Sequence, residues 1–291
     1  MGITLREMEE RWIDLGGIRL WLRLWGSPHA RPILCWHGLG LRASLLYNEL
    51  GPLLAERDWR VIAVDAPGFG SSPALSYDTY RPSMLASLVP RLLDALTFDS
   101  CVFLGFSWGA SIGCYVGANH QERVEALVFL DAGYSDPPNA DPDLTLDEFL
   151  QRARAEAAEY AEQIRDWRTA VTVFQGQAAR WTPAVEAQWR AALHEEGDAL
   201  VPVMDVAVIG AAEWGLAREP PSSAWGRLAE GGRPLLLLTA TNADLEDVQR
   251  WTCAVPHAVV KPIPSPTHDV VVNAPAEVAD AVAEWLAQLR P

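Results

Sequence analysis

Four short, mostly apolar runs mark the first half of the chain: Pro32–Trp36, Arg60–Val64, Ser100–Leu104 and Val124–Leu130. A strand buried on one face alternates polar and apolar residues, whereas a strand buried on both faces does not. The runs therefore predict inner strands of a parallel sheet. A different pattern precedes them. Ile18, Leu20, Leu22 and Leu24 alternate, and Gly16-Gly17 separates them from Trp12–Leu15. That predicts an antiparallel hairpin with the glycines in its turn. Between the runs, helical spacing appears at Leu45–Glu56, at Met84–Leu96 behind Pro82-Ser83, and in the small-residue stretch Ser107–Asn119. Strand–helix alternation predicts an α/β fold: a mostly parallel twisted sheet with right-handed crossovers and helices on both faces.

The alternation breaks after Gly133. Asp136-Pro137-Pro138 and Asp141-Pro142 are turn material. A long helical segment, Leu146–Trp167, follows, with further helical stretches through Trp225. Val201–Ile209 is ambiguous, and no buried-strand run interrupts the segment. Strand patterning resumes at Pro234–Thr239 and His257–Ile263, and Pro275–Leu289 is an amphipathic helix. Roughly 100 residues is too long for an ordinary connection within a sheet. The expected organisation is one core, residues 1–133 and 232–291, split by a helical cap at 134–231 over the active face.

Composition narrows the partners. The 291 residues carry 38 Asp+Glu against 23 Lys+Arg, a formal charge of −15. No basic face is visible for phosphates, so nucleic acid is not an expected partner, and no polybasic patch suits a membrane surface. No run reaches the ~18 apolar residues of a membrane helix, and Met1–Arg11 has no signal-peptide core. A cytoplasmic protein is expected. The four cysteines form no CxxC pair and the six histidines show no metal-ligand spacing. Three of the cysteines lie in apolar runs, so buried free thiols are expected there, and no metal or cofactor is expected.

Catalytic residues of open α/β sheets gather at the carboxyl ends of strands. Gly105-Phe106-Ser107-Trp108-Gly109 matches G-x-S-x-G directly after an apolar strand and before a helix. A turn this sharp strains the serine backbone and lifts its hydroxyl above the sheet, while the glycines let neighbouring backbone pass closely. The helix start aims N–H groups and the positive end of its dipole at the same place.

Together with His37-Gly38-Leu39-Gly40, the Asp-x-x-Gly-x-Gly-x-Ser run at Asp65–Ser72, and a late histidine, His268, this motif makes the chain resemble a capped serine hydrolase of the α/β-hydrolase-fold superfamily. The resemblance covers nearly the whole core. The cap resembles other caps only in position and helicity. Ser107 is then the nucleophile, which needs a base to take its proton. His268, after one strand and before the last helix, stands where this fold places that base, although Pro266 replaces a frequent Gly. By position, the backbone N–H groups of Leu39 and Trp108 form the oxyanion hole. His37 orients that loop, and Gly38 and Gly40 let it fold close to the serine. His37, Gly38 and Phe106 are candidates for substrate contact. Asp65 is read as structural, bonding backbone N–H groups of its own loop; no Lys follows, so the loop is not a P-loop.

Two aspartates compete for the acid that orients His268. Asp244 follows Pro234–Thr239, where most of the family keeps its acid, but Thr241 replaces the usual Gly and Asp244 falls one residue late. It could equally cap the helix that begins at Leu245. Asp131 closes Val124–Leu130, where capped dehalogenases keep theirs, although an aspartate can end this strand without catalysing. The altered loop favours Asp131. A serine at the elbow, where dehalogenases and epoxide hydrolases carry a carboxylate, implies acyl transfer at a carbonyl. The expected substrate is a small or medium apolar ester or lactone. Among Trp167, Trp181, Trp189, Trp214 and Trp225 at least one is expected to join Trp108 at the pocket. A ligand-binding or signalling protein with little turnover, or a perhydrolase, C–C hydrolase or lyase, would use the same fold.

Overall fold

A computed structural model describes residues 8–138, 141–197 and 199–289. The hairpin at the start is β1 (Glu9–Asp14) and β2 (Arg19–Trp25), antiparallel, with Gly16 and Gly17 at φ of 75° and 94° in the turn. β2 continues antiparallel to β4 (Trp59–Asp65). From there β3 (Arg31–Trp36), β5 (Cys101–Phe106), β6 (Val124–Leu130), β9 (Leu235–Thr239) and β10 (Val259–Pro262) all pair in parallel. The spatial order is β1-β2-β4-β3-β5-β6-β9-β10.

Alternate residues of each inner strand serve opposite faces. Leu34, Trp36, Phe103, Leu127 and Phe129 join one apolar cluster, while Ile33, Cys35, Val102, Leu104 and Val128 join the other. Burying each such side chain contributes about 1.5–3 kcal/mol, and both faces use it. That is why these strands lack alternation in the sequence. The second face is covered by α1 (Leu50–Ala55), α11 (Val270–Asn273) and α12 (Pro275–Gln288), through Leu50, Leu54, Val271, Val278 and Val282. The first is covered by α2 (Pro82–Ala86), α3 (Leu88–Leu96), α4 (Trp108–Asn119), α9 (Trp225–Gly231) and α10 (Leu245–Ala254). Cys35, Cys101 and Cys114 are free and buried, and burial pushes each thiol up, leaving it protonated. Cys253 is free and exposed.

Proline breaks two of the expected helices. Leu45–Glu56 divides into a 3₁₀ turn, Ala43–Asn48, and α1, so that Pro52 falls in a first turn where no N–H is needed. Met84–Leu96 divides at Ser87. A continuous helix would press the Pro90 ring on the Ala86 carbonyl, so α3 restarts at Leu88 with Pro90 in its first turn. The Ser87 hydroxyl donates to the Met84 carbonyl at 2.6 Å.

Between β6 and β9 lie α5 (Leu146–Gln163), α6 (Trp167–Gln177), α7 (Pro183–Ala192) and α8 (Ala207–Arg218). The expected unbroken helix Leu146–Trp167 stops at Gln163, and α6 starts anew because Asp166 caps it, accepting the Thr169 N–H at 2.9 Å. Thr145 and Glu148 form a reciprocal capping box on α5. A short antiparallel hairpin, β7 (Leu193–Glu196) and β8 (Ala199–Pro202), also lies here. Each strand is only four residues long and β7 carries two glutamates, so neither reads as a buried strand; Gly197, at φ 61°, marks the turn. α8 bridges the inserted helices and the sheet layer. A Cβ at Gly210 would sit 2.4 Å from the Phe149 carbonyl oxygen of α5, and one at Gly215 would sit 2.0 Å from the Tyr80 carbonyl oxygen. α9, inside the 134–231 span, packs on α4, where Leu228 fills the space above Gly117. Among the described residues no helix is long and apolar enough to cross a membrane.

Candidate active site

β5 passes into α4 through Ser107 at φ 53°, ψ −119°. A positive φ costs a serine about 1–3 kcal/mol and persists only where the surroundings enforce it. They do so here. The Ser107 N–H donates to the Leu130 carbonyl at 3.2 Å. A Cβ at Gly105 would lie 2.3 Å from the Gly109 carbonyl oxygen, and one at Gly109 would lie 2.1 Å from the Trp36 carbonyl oxygen. Both motif glycines are therefore required by close backbone approach. Gly38 is too, since its Cβ would lie 2.9 Å from the Ser107 Cβ. Gly40 is not: a Cβ there would meet nothing within 4 Å. The close approach expected of both loop glycines belongs to Gly38 alone.

His37 is buried beneath this loop. The Ala66 N–H donates to its Nε2 at 3.1 Å, so the proton sits on Nδ1, which donates to the Gly38 carbonyl at 2.7 Å. Burial pushes its pKa down, which favours the neutral ring this arrangement needs. Asp65 accepts the Ser44 and Ser71 N–H groups at 2.9 Å each and stays structural.

The His268 side chain is 52% exposed, and its Nδ1 donates to Asp131 Oδ2 at 2.7 Å. That bond fixes the tautomer and leaves Nε2 free to accept a proton. Asp131 is only 6% exposed and stands at φ 51° directly after β6. Its Oδ1 accepts the Ala240 N–H at 2.7 Å. Asp244 does something else: it caps α10, accepting the Glu246 and Asp247 N–H groups at 2.8 and 3.2 Å. The loop around Pro266 is pinned from several sides. The Ser265 hydroxyl donates to the Thr267 carbonyl at 2.6 Å, and Asn273 Nδ2 donates to Ser265 Oγ and Thr267 Oγ1 at 2.8 Å each. Phe106 packs its ring 5.1 Å from that of His268.

Ser107 and His268 border two cavities. One, of about 300 Å³, is walled by His37, Gly38, Leu39, Gly40, Phe106 and Arg42 among others. The second, of about 310 Å³, reaches Trp108, Ser111, Asp131 and Tyr134. Leu39 borders both. Trp108 is the first residue of α4, so its N–H has no acceptor inside the helix. Burial, with the Asp131 carboxylate nearby, pushes the Tyr134 phenol up and keeps it neutral.

None of the five tryptophans of the inserted segment borders either cavity. Trp225 donates to the Gly133 carbonyl at 2.9 Å, Trp214 packs with Phe149, and Trp189 and Trp181 stack on Phe174 at 4.2 and 6.5 Å. Trp167 lies in the same Phe174 cluster. Trp189 instead faces a separate chamber. Sequence reasoning missed Arg42 and Asp269. Arg42 donates to Asp269 Oδ2 at 2.6 Å and to Gln188 Oε1 of α7 at 3.3 Å, with its guanidinium 5.0 Å over the Trp189 ring. It ties the His37–Gly40 loop, the His268 loop and the inserted helices together, and its charge is paired. The only signal in the sequence was a cation just past Gly40 and an acid just past His268. Among the described residues no group of three or more His, Cys, Asp or Glu could hold a metal.

The fold agrees with the comparisons. The family model for the alpha/beta hydrolase fold matches residues 31–178, and the chain belongs to that family. A serine hydrolase-like protein of Danio rerio is 35% identical over 121 residues, 41% of this chain and 35% of that protein. The poly(3-hydroxyalkanoate) depolymerase of Ectopseudomonas oleovorans is 34% identical over 103 residues, 35% of each chain. These matches therefore span about a third of the relatives' length. The crystal structure of E-2-(acetamidomethylene)succinate hydrolase superposes with a TM-score of 0.74 at 20% identity, over 97% of this chain and 100% of that one.

Proposed function

We propose that the protein is a serine hydrolase that cleaves a small or medium apolar carboxylic ester or lactone through an acyl-enzyme. The carrying observation is the His268–Asp131 bond at 2.7 Å beside a serine held at positive φ. Ser107 Oγ attacks the carbonyl carbon while His268 Nε2 takes the hydroxyl proton. The carbonyl oxygen becomes an oxyanion, received by the Leu39 and Trp108 N–H groups. Loss of one such donor typically raises a barrier by ~3–4 kcal/mol. Collapse breaks the carbon–oxygen bond, and His268 returns its proton to the departing alkoxide. Water then attacks the acyl-enzyme with the same histidine as base. Asp131 holds the ring tautomer and stabilises the imidazolium. The mainly apolar wall around Ser107, and the pairing of Arg42 with Asp269, favour an uncharged substrate. Of the span 134–231 inserted between β6 and β9, the part ahead of α9 acts in this reading as the cap that shapes the substrate's surroundings, while α9 packs on α4.

The test is turnover of a p-nitrophenyl ester by Ser107→Ala. Loss of the nucleophile should lower kcat by about 10⁶-fold with the circular dichroism unchanged. Undiminished turnover would rule the reading out.

A further inference from the structure

A chamber of about 320 Å³ lies among the inserted helices and is separate from the two cavities that Ser107 borders. Its wall is built from Leu41, Ala153, Ala157, Ile164, Trp189 and Leu200 among others, and Glu156 is the one charged residue among the described residues that line it. A volume of this size falls at the lower end of small-molecule sites, and a nearly all-apolar wall offers few groups to orient a polar ligand. The chamber meets the nucleophile's cavity at a single shared residue, Gly40. That residue is the loop glycine whose absent side chain no packing explains: a Cβ there meets nothing within 4 Å, and its φ is not positive. A methyl group would fit there without contact or backbone strain. Glycine leaves open space at the one position that borders both cavities.

We infer that Gly40 is a doorway, and that the chamber takes an unbranched apolar arm of the substrate whose carbonyl sits at Ser107. The substrate class is then an ester with a medium-length alkyl or acyl chain, and Gly40 and Ala157 are specificity-determining positions. This rests on Ser107 being the nucleophile. Leu41, next in the chain, lines the chamber, while Leu39 on the other side lines the Ser107 cavity. One loop thus presents the oxyanion donor to the carbonyl and an apolar wall to the chain. A chain passing Gly40 leaves Arg42 and Asp269, which also border the Ser107 cavity, paired with each other.

The experiment compares p-nitrophenyl acetate with the octanoate in the wild type, Gly40→Leu and Ala157→Phe. The readout is the ratio of kcat/KM for the two esters within each protein, so that general loss of activity cancels. Each methylene that enters the chamber should raise kcat/KM of the wild type about fourfold. Either substitution should lower the octanoate-to-acetate ratio at least tenfold, the range expected when an apolar pocket loses room for one methylene or more. A wild-type ratio near one, or a ratio that neither substitution moves, overturns the chamber assignment while leaving the hydrolase reading intact. Binding of 1-octanol, measured by calorimetry, separates the two. Binding by the wild type and loss of binding in Ala157→Phe, with no ester turned over at all, would keep the chamber and remove the hydrolase. No 1-octanol binding by a wild type that also shows no chain-length preference would overturn the chamber a second way.

Discussion

β6 and β9 lie side by side, and each is followed by an aspartate, yet only one carboxylate reaches the histidine. At β6 the acid is the first residue past the strand, and φ 51° turns it back toward the sheet. There one oxygen takes the Ala240 N–H beyond β9 and the other takes His268 Nδ1. At β9 the chain continues through Ala240 and Thr241 before any acid appears. Thr241 spends both its N–H and its hydroxyl on the Ser265 carbonyl, at 2.9 and 2.8 Å. Asp244 arrives when α10 is about to start and is used as its cap. The end of β6 supplies the charge that orients the histidine, and the end of β9 supplies the backbone that holds the histidine's loop. Backbone strain follows the same division. Ser107 and Asp131 both stand at positive φ, whereas Asp244 has an ordinary extended backbone at φ −69°. An aspartate tolerates the left-handed region at modest cost, and at the end of β6 that cost turns the carboxylate toward the ring.

The comparison can be broken by isosteric substitution. Asp131→Asn should lower kcat by about 10⁴-fold, because an amide favours the wrong histidine tautomer. Asp244→Asn, which keeps a good cap, should stay within about twofold of wild type by the same assay. A loss confined to Asp244→Asn would reverse the assignment of the two strand ends. Thr241→Val sharpens the scaffolding half of the claim. It removes one hydrogen bond to the Ser265 carbonyl, a contribution of about 1 kcal/mol. A kcat lowered about fivefold at unchanged KM is expected, and unchanged kinetics would show that the β9 end does not position His268. The smallest effect belongs to Asp244→Ala. Chemical denaturation should show a loss of about 1 kcal/mol of stability from the missing cap, with kcat retained.

Much of this division is legible in the sequence. The unalternating runs identify strands buried on both faces, because Leu127, Val128 and Phe129 each find an apolar cluster whichever way they point. The elbow is legible because Gly105 and Gly109 are dictated by backbone contacts, and such contacts leave a fixed motif. Thr241, standing where the resemblance leads one to expect a glycine with an aspartate three residues on, is the sequence signal that turns attention from the end of β9 to Asp131. Other features depend on what is near in space. Arg42 and Asp269 are 227 positions apart in the chain, and nothing local to either marks their pairing. The helix breaks ahead of Pro52 and Pro90, at Glu49 and Ser87, are signalled by the prolines but masked by the apolar spacing. Gly40 looked like its neighbour Gly38, and only the space around each tells them apart.

The central claim is that Asp131, through His268, activates Ser107. The direct measurement is the rate at which a fluorophosphonate labels the folded protein, followed by intact mass, since it needs no knowledge of the substrate. The account predicts one label per wild-type chain and none on Ser107→Ala. It also predicts a rate for Asp131→Asn lower by orders of magnitude, and a rate for Asp244→Asn equal to wild type. Labelling that survives Ser107→Ala, or proceeds on Asp131→Asn as fast as on the wild type, would contradict it.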